Sequence, residues 1–440
     1  MKFYVETFGC QMNVADSQEM GRRLAARGLA PTETAADADV ILVNTCTVRD
    51  HAEHKALSYL GRLTPWKSQD PSRCVILAGC AAERLQGTIR RRFPHVSVVV
   101  GAKSIDRFDE LIDAALPALA FDGDGETLDA WGWMKGAAET PSSVTAHVTL
   151  MRGCNFSCSY CVVPQVRGRE KYRPAASLLA EVREKAARGQ PEILLLGQTV
   201  NSYRPAGPNP GPDGREIRDF ADLLRAVAAE PGVRRIRFMS PHPHHVDDRF
   251  IAAVAETPAV CPHVHLPAQS GSDRLLPLMR RNYSRRDYVE KAARLRRAVP
   301  GLSLTTDLIV GFPGETDADF AETLSLVREV DFEGAYTFKY SPRPGTASAA
   351  LPDDVSTEVK EERLARLREW TDRLAEQKTA AQVGARTEAL IEARRGKALE
   401  ARTPHGRKIF LEGSDAPAGA LVPCRVDRAD GKTLYGSPCP

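Results

Sequence analysis

Strand-like apolar runs alternate with helix-like stretches through the first part of this 440-residue chain. The apolar runs lie at 3–7, 40–44 and 75–78, and the stretches at 17–27 and 52–63 have the pattern of helices. Strands that alternate with helices are typical of a parallel sheet covered by helices. The sequence therefore predicts an α/β fold with an N-terminal parallel-sheet domain.

Each of these three predicted strands is followed by a cysteine, namely Cys10, Cys46 or Cys80. The carboxyl ends of parallel strands meet at one edge of a sheet, and ligands bind at that edge. A single cysteine in such a place is more often a small buried apolar residue. Three cysteines at equivalent strand ends are instead expected to converge on one rim.

The central part of the chain repeats the strand-helix pattern. Strands are predicted at 145–150, 193–196, 235–239, 264–266, 303–310 and 335–340. This repetition indicates a full or partial parallel barrel, with its chemistry at the C-terminal ends of the strands. After a charged helix at 355–381, short strand-like pieces separated by Gly and Pro indicate a small β-barrel. The predicted domains are 1–121, a linker at 122–143, the central domain at 144–376 and the last domain at 377–440.

Composition excludes two classes of protein. Ten cysteines in 440 residues are too few for a disulfide scaffold, and no apolar run approaches the roughly 18 to 20 residues that span a bilayer. Nothing near Met1 resembles a signal sequence, so we expect a cytoplasmic protein with reduced thiols and no membrane partner.

The net charge is +3. Basic residues are nevertheless concentrated from Arg280 to Arg297 and after Lys378, which fits a phosphate-rich partner or a solvated helix face.

The most specific local signal is the C-x3-C-x2-C triplet formed by Cys154, Cys158 and Cys161 directly after a predicted strand. Three thiolates at this spacing can hold three irons of a cubane cluster and leave the fourth iron open to a cofactor or substrate. The alternative is a structural zinc site, which normally needs four protein ligands. The loop offers no fourth ligand, and the nearest candidate, His147, lies back on the preceding strand.

This triplet resembles the signature of radical S-adenosylmethionine (SAM) enzymes. In that superfamily the open iron binds SAM, and an electron from the cluster cleaves it to a radical. Motifs along almost the whole chain resemble the methylthiotransferase family within this superfamily. They are TFGCQMN at 7–13, NTCTVR at 44–49, GCA at 79–81, RGRE at 167–170, LGQTVNSY at 196–203, HLPAQSGS at 265–272 and GFPGET at 311–316.

The resemblance implies two [4Fe-4S] clusters and SAM as cofactors. It assigns an auxiliary cluster, which carries the sulfur that is methylated, to Cys10, Cys46 and Cys80, and it gives the catalytic cluster to the triplet. The radical removes hydrogen from an unactivated carbon, which then takes the methylthio group. We predict cofactor contacts at strand ends, from Gly197, Gln198, Asn201 and Gly311.

Basic residues indicate RNA as the substrate. Arg152, Arg167 and Arg169 flank the cysteine loop and are predicted to grip phosphates while a base enters the pocket. The segment ARTPHGRKIFL at 401–411 resembles a TRAM domain, a small RNA-binding β-barrel. That resemblance predicts RNA contacts by Arg402, Arg407 and Lys408, whereas Phe410 fits either an RNA contact or the core.

The contexts around Cys10 and Cys46, together with Arg152, most resemble the family branch that acts on tRNA. This branch adds a methylthio group to C2 of N6-isopentenyladenosine at position 37. The implied partners are the anticodon arm of tRNA, an electron donor and a sulfur source, and we expect a monomer. Alternative substrates are threonylcarbamoyladenosine in tRNA or an aspartate of a ribosomal protein. A non-enzymatic iron-sulfur sensor that binds RNA would leave the cofactor motifs unexplained.

Overall fold

The computed structural model of the protein describes residues 1–48, 50–116 and 143–439. The chain forms two compact units. Unit 1 comprises residues 1–140, 151–156 and 161–173, and unit 2 comprises 141–150, 157–160 and 174–440. Except for Ser143, the predicted linker at 122–143 lies outside the described residues, and the predicted domain boundaries stay predictions.

The first half of the chain contains eight strands and five α-helices among its described residues. In chain order they are β1 (Lys2–Phe8), α1 (Gln11–Ala26), β2 (Ala30–Pro31), β3 (Val40–Thr45), α2 (Asp50–Gln69), β4 (Cys74–Gly79), α3 (Cys80–Arg92), β5 (Val98–Gly101), α4 (Phe108–Ala115), β6 (Thr145–Thr149), β7 (Met151–Arg152), α5 (Val163–Arg167) and β8 (Lys171–Tyr172).

The second half contains the remaining strands and α-helices of unit 2. They are α6 (Ala175–Ala187), β9 (Glu192–Leu196), α7 (Phe220–Ala228), β10 (Arg235–Phe238), α8 (Asp248–Glu256), β11 (His263–His265), α9 (Leu275–Leu278), α10 (Arg285–Ala298), β12 (Ser303–Val310), α11 (Asp317–Val330), β13 (Gly334–Lys339), α12 (Thr357–Ala380), β14 (Arg386–Arg395), β15 (Ala398–Arg402), β16 (Lys408–Leu411), β17 (Leu421–Asp430) and β18 (Thr433–Pro438).

Unit 1 is built on a parallel sheet with the strand order β2–β1–β3–β4–β5. Side chains of a strand alternate between the two faces of its sheet. On β3, Val40 and Leu42 pack in the cluster that contains α1 and α4, whereas Ile41 and Val43 pack against α2 and α3. Helices therefore cover both faces, and this confirms the predicted parallel-sheet α/β architecture. Strands β2 and β5 were not predicted.

Unit 2 begins with an open parallel barrel. Its strands pair in the order β6–β9–β10 and β11–β12–β13. An isolated bridge joins Ile236, on β10, to Val260, which lies shortly before β11. Among the described residues no pairing joins β6 to β13. The barrel is therefore partial, which is one of the two predicted forms.

The C-terminal strands of unit 2 close into a small barrel with the order β14–β15–β16–β18–β17. This confirms the predicted small β-barrel, although β15 and β18 were not predicted. Its loop after β15 packs against the partial barrel, where Arg235 and Arg237 donate hydrogen bonds to the carbonyls of Arg402 and Thr403, at 2.8 and 2.7 Å. Within the described part of the chain, no helix has the length and apolarity needed to cross a membrane.

Candidate iron-sulfur and cofactor sites

The three N-terminal cysteines lie at equivalent ends of neighbouring strands. Cys10 follows β1, Cys46 follows β3, and Cys80 begins α3 directly after β4. The register aligns Phe8 with Thr45 and Thr45 with Gly79, so the next residues emerge at one edge of the sheet. The predicted convergence of the thiols agrees with this geometry.

Polar side chains hold this edge together. Asn13, in the first turn of α1, donates to Asn44 Oδ1 at 3.2 Å, while Asn44 donates to the carbonyl of Asn13 at 2.8 Å. Gly79 has a φ of 95°, and a Cβ there would lie 2.3 Å from Asn44 Oδ1 and 2.4 Å from the carbonyl of Thr45. Only glycine allows the chain to turn into α3 so close to these groups.

The thiols of this trio influence one another. A hydrogen bond from Cys46 lowers the pKa of Cys10 to about 5, and the positive charge of Arg167 acts in the same direction. The shared hydrogen bond and burial raise the pKa of Cys46, and burial raises the pKa of Cys80. The thiols are therefore within interaction range of one another, and one of them is readily available as the thiolate that iron binds.

A buried ionic network stands beside Cys80. Asp16, on α1, is fully buried and accepts hydrogen bonds from Arg152 Nη2 at 3.0 Å and Arg167 Nη2 at 2.9 Å. Arg167 also donates from Nε to Cys80 Sγ at 3.2 Å. Arg152 and Arg167 were predicted to bind RNA phosphates. In the structure both donate to the buried carboxylate of Asp16 within unit 1, and their contact with RNA stays a prediction.

Replacing Asp16 with asparagine is expected to destabilise unit 1 by about 3 kcal/mol, because two buried guanidinium groups would lose their counter-charge. The matched control is Asp113→Asn, which weakens a partly exposed pair with Arg27 and should cost about 1 kcal/mol or less. Hydrogen exchange of the α1 amides in the metal-free protein measures both variants. Equal protection losses in the two variants would contradict a special role for Asp16.

A basic cavity of about 720 Å³ opens within unit 1. Asp106 and Glu170 are its only acidic lining residues in the described part of the chain. The basic lining residues are Lys103, Arg107, Arg152, Arg167, Arg169 and Lys171. Arg169 is exposed, so this cavity could hold an anion such as a phosphate group.

The cysteine loop contributes to both compact units. Cys154 and Cys161 belong to unit 1, and Cys158 belongs to unit 2. The side chains of all three are partly exposed. In unit 2, Cys158 Sγ accepts a hydrogen bond from Arg281 Nη1 at 3.3 Å. Sequence analysis did not predict this arginine; its only signal is the basic run that begins at Arg280.

Two of the predicted cofactor residues follow β9 and differ in their contacts. The amide of Asn201 is engaged on both sides, because it donates to the carbonyl of His242 at 3.0 Å and accepts from the N–H of His242 at 2.7 Å. By contrast, no group among the described residues bonds the buried Oε1 of Gln198. Of these two side chains, Gln198 is therefore the one with a hydrogen-bond acceptor that is still available to a ligand.

The two predicted glycines, Gly197 and Gly311, lie at strand ends, after β9 and β12 respectively. The N–H of Gly311 donates to Glu315 Oε2 at 2.6 Å. Gly311 has a φ of 70°, and a Cβ there would lie 2.2 Å from Cγ of Lys360. The close packing of Lys360 alone therefore explains why residue 311 is a glycine. A contact between Gly311 and the cofactor stays a prediction.

The three basic residues predicted to bind RNA in the small barrel have protein partners. Arg407 is paired with Glu333 and donates to Thr379 Oγ1 at 2.6 Å. Arg402 is paired with Glu392 at 2.7 Å. Lys408 is partly exposed, is paired with Glu400 at 2.6 Å and lies above the ring of Phe410. Of the three, Lys408 is the one whose charge stands beside a solvent-accessible aromatic ring.

One face of β12 is open to solvent and was not predicted as a functional surface. Its even-numbered residues from Leu304 to Val310 are fully buried, whereas the odd-numbered ones are partly exposed. Asp307 is in register with Tyr336 and Ile309 with Phe338, and the Tyr336 ring contacts His265. Tyr336 is 56% exposed and Phe338 37%. Aromatic rings on the open face of a barrel sheet suit a flat apolar ligand.

The donor sets suit iron-sulfur clusters. Each predicted set consists of three thiols, the ligand type that such clusters require. The buried Nη1 of Arg167, beside Cys80, has no acceptor among the described residues, so a bound group could still accept a hydrogen bond there. No three carboxylate, imidazole or thiol groups in the described ranges are grouped tightly enough to hold a single metal ion. Thiols that bind different irons of one cluster do not need such tight grouping.

Two family models match the chain. The model of the radical SAM superfamily matches residues 148–327. The model of uncharacterized protein family UPF0004 matches residues 2–101. The first covers the cysteine loop and most of the partial barrel, and the second covers the strand ends that carry Cys10, Cys46 and Cys80.

Curated relatives match nearly the whole chain. A "tRNA-2-methylthio-N(6)-dimethylallyladenosine synthase" of Sorangium cellulosum is 45% identical, over 89% of this chain and 82% of the relative. Proteins of the same name from Syntrophobacter fumaroxidans and Endomicrobium trichonymphae are 42% and 39% identical. These matches cover 98% and 99% of this chain, and 94% and 99% of the respective relatives.

Solved structures support the fold. The radical S-adenosylmethionine methyltransferase TsrM from Kitasatospora setae matches with a TM-score of 0.56 and 14% identity, over 79% of this chain and 77% of that one. The cobalamin-dependent radical enzyme OxsB matches with a TM-score of 0.51 and 11% identity, over 84% of this chain and 56% of that one. At such low identity these similarities concern the fold alone.

Proposed function

The chain belongs to the family of tRNA-2-methylthio-N(6)-dimethylallyladenosine synthases, and we propose that it attaches a methylthio group to C2 of N6-isopentenyladenosine at position 37 of tRNA. The observation that carries this proposal is the presence of two separate cysteine sets, each covered by its own family model. A methylthio transfer needs both a sulfur-carrying site and a radical-generating site.

The cysteines divide between two [4Fe-4S] clusters. Cys10, Cys46 and Cys80 would hold the auxiliary cluster, and Cys154, Cys158 and Cys161 would hold the catalytic one. When bound, the clusters and SAM supply the sulfur, the methyl group and the radical that breaks an unactivated C–H bond. A radical is required because this carbon has no acidity that a general base could use.

Side chains of unit 2 would position the small molecules. The buried Oε1 of Gln198 has no partner among the described residues and would accept a hydrogen bond from SAM. Asn201 would act indirectly, by holding the backbone of His242. On the open barrel face, Tyr336 and Phe338 would pack against the adenine and its apolar isopentenyl group.

Basic groups would hold the RNA backbone. In unit 1 the cavity that includes Lys103, Arg169 and Lys171 would take phosphates. In the small barrel, the rings of Phe410 and Tyr435 stack at 5.7 Å, with Lys408 above one ring and Arg428 above the other. Aromatic rings flanked by cations suit the stacking of an unpaired base.

Replacing Phe410 with alanine is expected to weaken tRNA binding about 5- to 150-fold, because stacking of one base contributes about 1–3 kcal/mol. Phe410→Leu serves as a control for packing, since it keeps an apolar side chain but removes the ring. Both variants should lose affinity in a filter-binding titration at fixed salt. Unchanged affinity in both would remove this surface from the RNA-binding site.

The remaining features of the proposal concern the cellular context. We infer a monomer that acts in the cytoplasm, where its tRNA substrate and reduced thiols occur. Turnover would require an external electron donor and a sulfur source that restores the auxiliary site. The sulfur source is needed because each product removes one sulfur atom from the protein, and the electron donor because each reductive cleavage of SAM consumes one electron.

A substrate competition tests the proposal. The anaerobically reconstituted protein is incubated with dithionite, SAM and an equimolar mixture of isopentenylated tRNA, threonylcarbamoylated tRNA and the ribosomal protein substrate. The proposal predicts a methylthio product only on the isopentenylated tRNA. Product on either of the other two substrates would move the protein to a different branch. Absence of 5'-deoxyadenosine, with both clusters intact, would contradict the enzymatic function.

A further inference from the structure

Two buried arginines each donate a hydrogen bond to one cysteine of a cluster set. Arg281 Nη1 donates to Cys158 Sγ at 3.3 Å, and Arg167 Nε donates to Cys80 Sγ at 3.2 Å. The first pair lies in unit 2 and the second in unit 1. Burying a guanidinium group is costly unless its N–H groups are satisfied, so its position beside a thiol requires structural support.

The position of Arg281 is fixed by contacts on every side. Its Nε donates to Tyr283 Oη at 2.7 Å and its Nη2 to the carbonyl of Pro267 at 3.1 Å. Its guanidinium carbon lies 5.0 Å from the centre of the Tyr283 ring, and Tyr283 Oη in turn donates to the carbonyl of Ala268 at 2.8 Å. Each nitrogen of the planar fork has its own acceptor, and the one left for Nη1 is the thiol of Cys158.

Arg167 is fixed in a comparable way in unit 1. Its Nη2 is bound to the fully buried carboxylate of Asp16, which orients the planar group so that Nε points at Cys80. Its Nη1 has no acceptor among the described residues. A sulfur-containing group held by Cys80 could provide one.

We propose that Arg281 and Arg167 are positioning residues, each of which donates an N–H···S hydrogen bond to one ligand of its own cluster and raises that cluster's reduction potential. The proposal rests on the assignment of the two cysteine sets to clusters. Reduction adds a negative charge to a cluster, and a cationic donor to a ligand sulfur stabilises the reduced form more than the oxidised form. Each cluster would thus be tuned by an arginine from the same compact unit as the cysteine that it contacts.

The test is a redox titration of the reconstituted full-length protein with dithionite and mediators, followed by electron paramagnetic resonance. Addition of SAM identifies the catalytic cluster, because its signal responds to the cofactor. Arg281→Met should shift only the catalytic cluster to a more negative potential, and Arg167→Met only the auxiliary one. The lysine variants keep the charge but lose the planar fork, and they should shift the same cluster by a smaller amount.

Matched controls are Arg280→Lys and Arg91→Lys, which change exposed arginines in unit 2 and unit 1 and should leave both potentials unchanged. If a methionine variant does not fold, the potential of the lysine variant at the same position is measured instead. Unchanged potentials in both arginine variants, or equal shifts of both clusters by either one, would overturn the proposal. Failure of the unmodified protein to bind two clusters would instead count against the proposed function, which keeps the two results distinguishable.

Discussion

Replacing Cys158 with alanine is expected to abolish both 5'-deoxyadenosine formation and the methylthio product. The triplet offers only three thiols for its cluster, so loss of one removes a direct iron ligand. Loss of a group that merely supports a metal ligand typically costs about 10- to 100-fold, and loss of a ligand itself should exceed that range. Chromatographic quantification of 5'-deoxyadenosine under reducing conditions measures the effect.

The matched control for Cys158 is Cys261→Ala. Cys261 is a buried thiol of unit 2 that belongs to neither cluster set. This variant should retain both activities after correction for iron content. If Cys158→Ala cleaves SAM at the rate of the unmodified protein, the triplet does not hold the catalytic cluster.

Replacing Cys80 with alanine is expected to separate the two half-reactions. The catalytic triplet is untouched, so 5'-deoxyadenosine should still form, whereas the methylthio nucleoside should fall by more than about 100-fold, because the sulfur-carrying site loses a ligand. Cys80 also accepts the hydrogen bond from Arg167, so no other thiol can simply take its place in that network. Nucleoside mass spectrometry and 5'-deoxyadenosine analysis of the same reaction measure the two outputs.

Cys74→Ala provides the control for Cys80, because Cys74 begins the strand that Cys80 follows but lies buried in the core. It should retain both outputs. Undiminished methylthio product in Cys80→Ala would exclude the N-terminal trio as the sulfur-carrying site. Loss of both outputs, with the catalytic cluster intact, would contradict the division of labour between the two cysteine sets.

The placement of the three N-terminal cysteines at one edge of the sheet could be predicted because it depends on a local rule applied three times. Strands β1, β3 and β4 each contain an apolar run, and each is followed by a cysteine. In a parallel sheet, strand direction alone brings such residues to one edge. No knowledge of long-range contacts was needed for Cys10, Cys46 and Cys80, and the strand bounds agree with prediction to within one or two residues.

The supporting contacts could not be predicted because they join distant parts of the chain. Asp16 meets Arg152 and Arg167 across 136 and 151 residues, and Arg281 meets Cys158 across 123. In the sequence Asp16 is simply a polar residue directly before the helix predicted at 17–27. Its burial shows only in the structure, where β7 and α5 of unit 1 place Arg152 and Arg167 beside it.

The segment at 401–411 illustrates a different difficulty. A basic segment with an RNA-domain resemblance predicts RNA contacts, but the sequence does not say which face of a barrel its charges occupy. In the structure Arg407 is paired with Glu333 and the Thr403 carbonyl accepts from Arg237. Lys408 and Phe410 instead lie together on the partly exposed surface. Lys408 and Phe410 share one face of β16, whereas Thr403 and Arg407 lie in the loop between β15 and β16. The sequence did not indicate that this loop packs against the partial barrel.

The central claim is that this chain transfers a methylthio group to isopentenylated tRNA, and the most direct test is an isotope-labelled single-substrate reaction. The reconstituted protein is incubated with dithionite, isopentenylated tRNA and SAM that carries a deuterated methyl group, and the nucleosides are then analysed by mass spectrometry. The account predicts a nucleoside with one deuterated methylthio group, formed together with 5'-deoxyadenosine. An unmodified isopentenyladenosine, in a reaction whose protein retains both clusters, would contradict it.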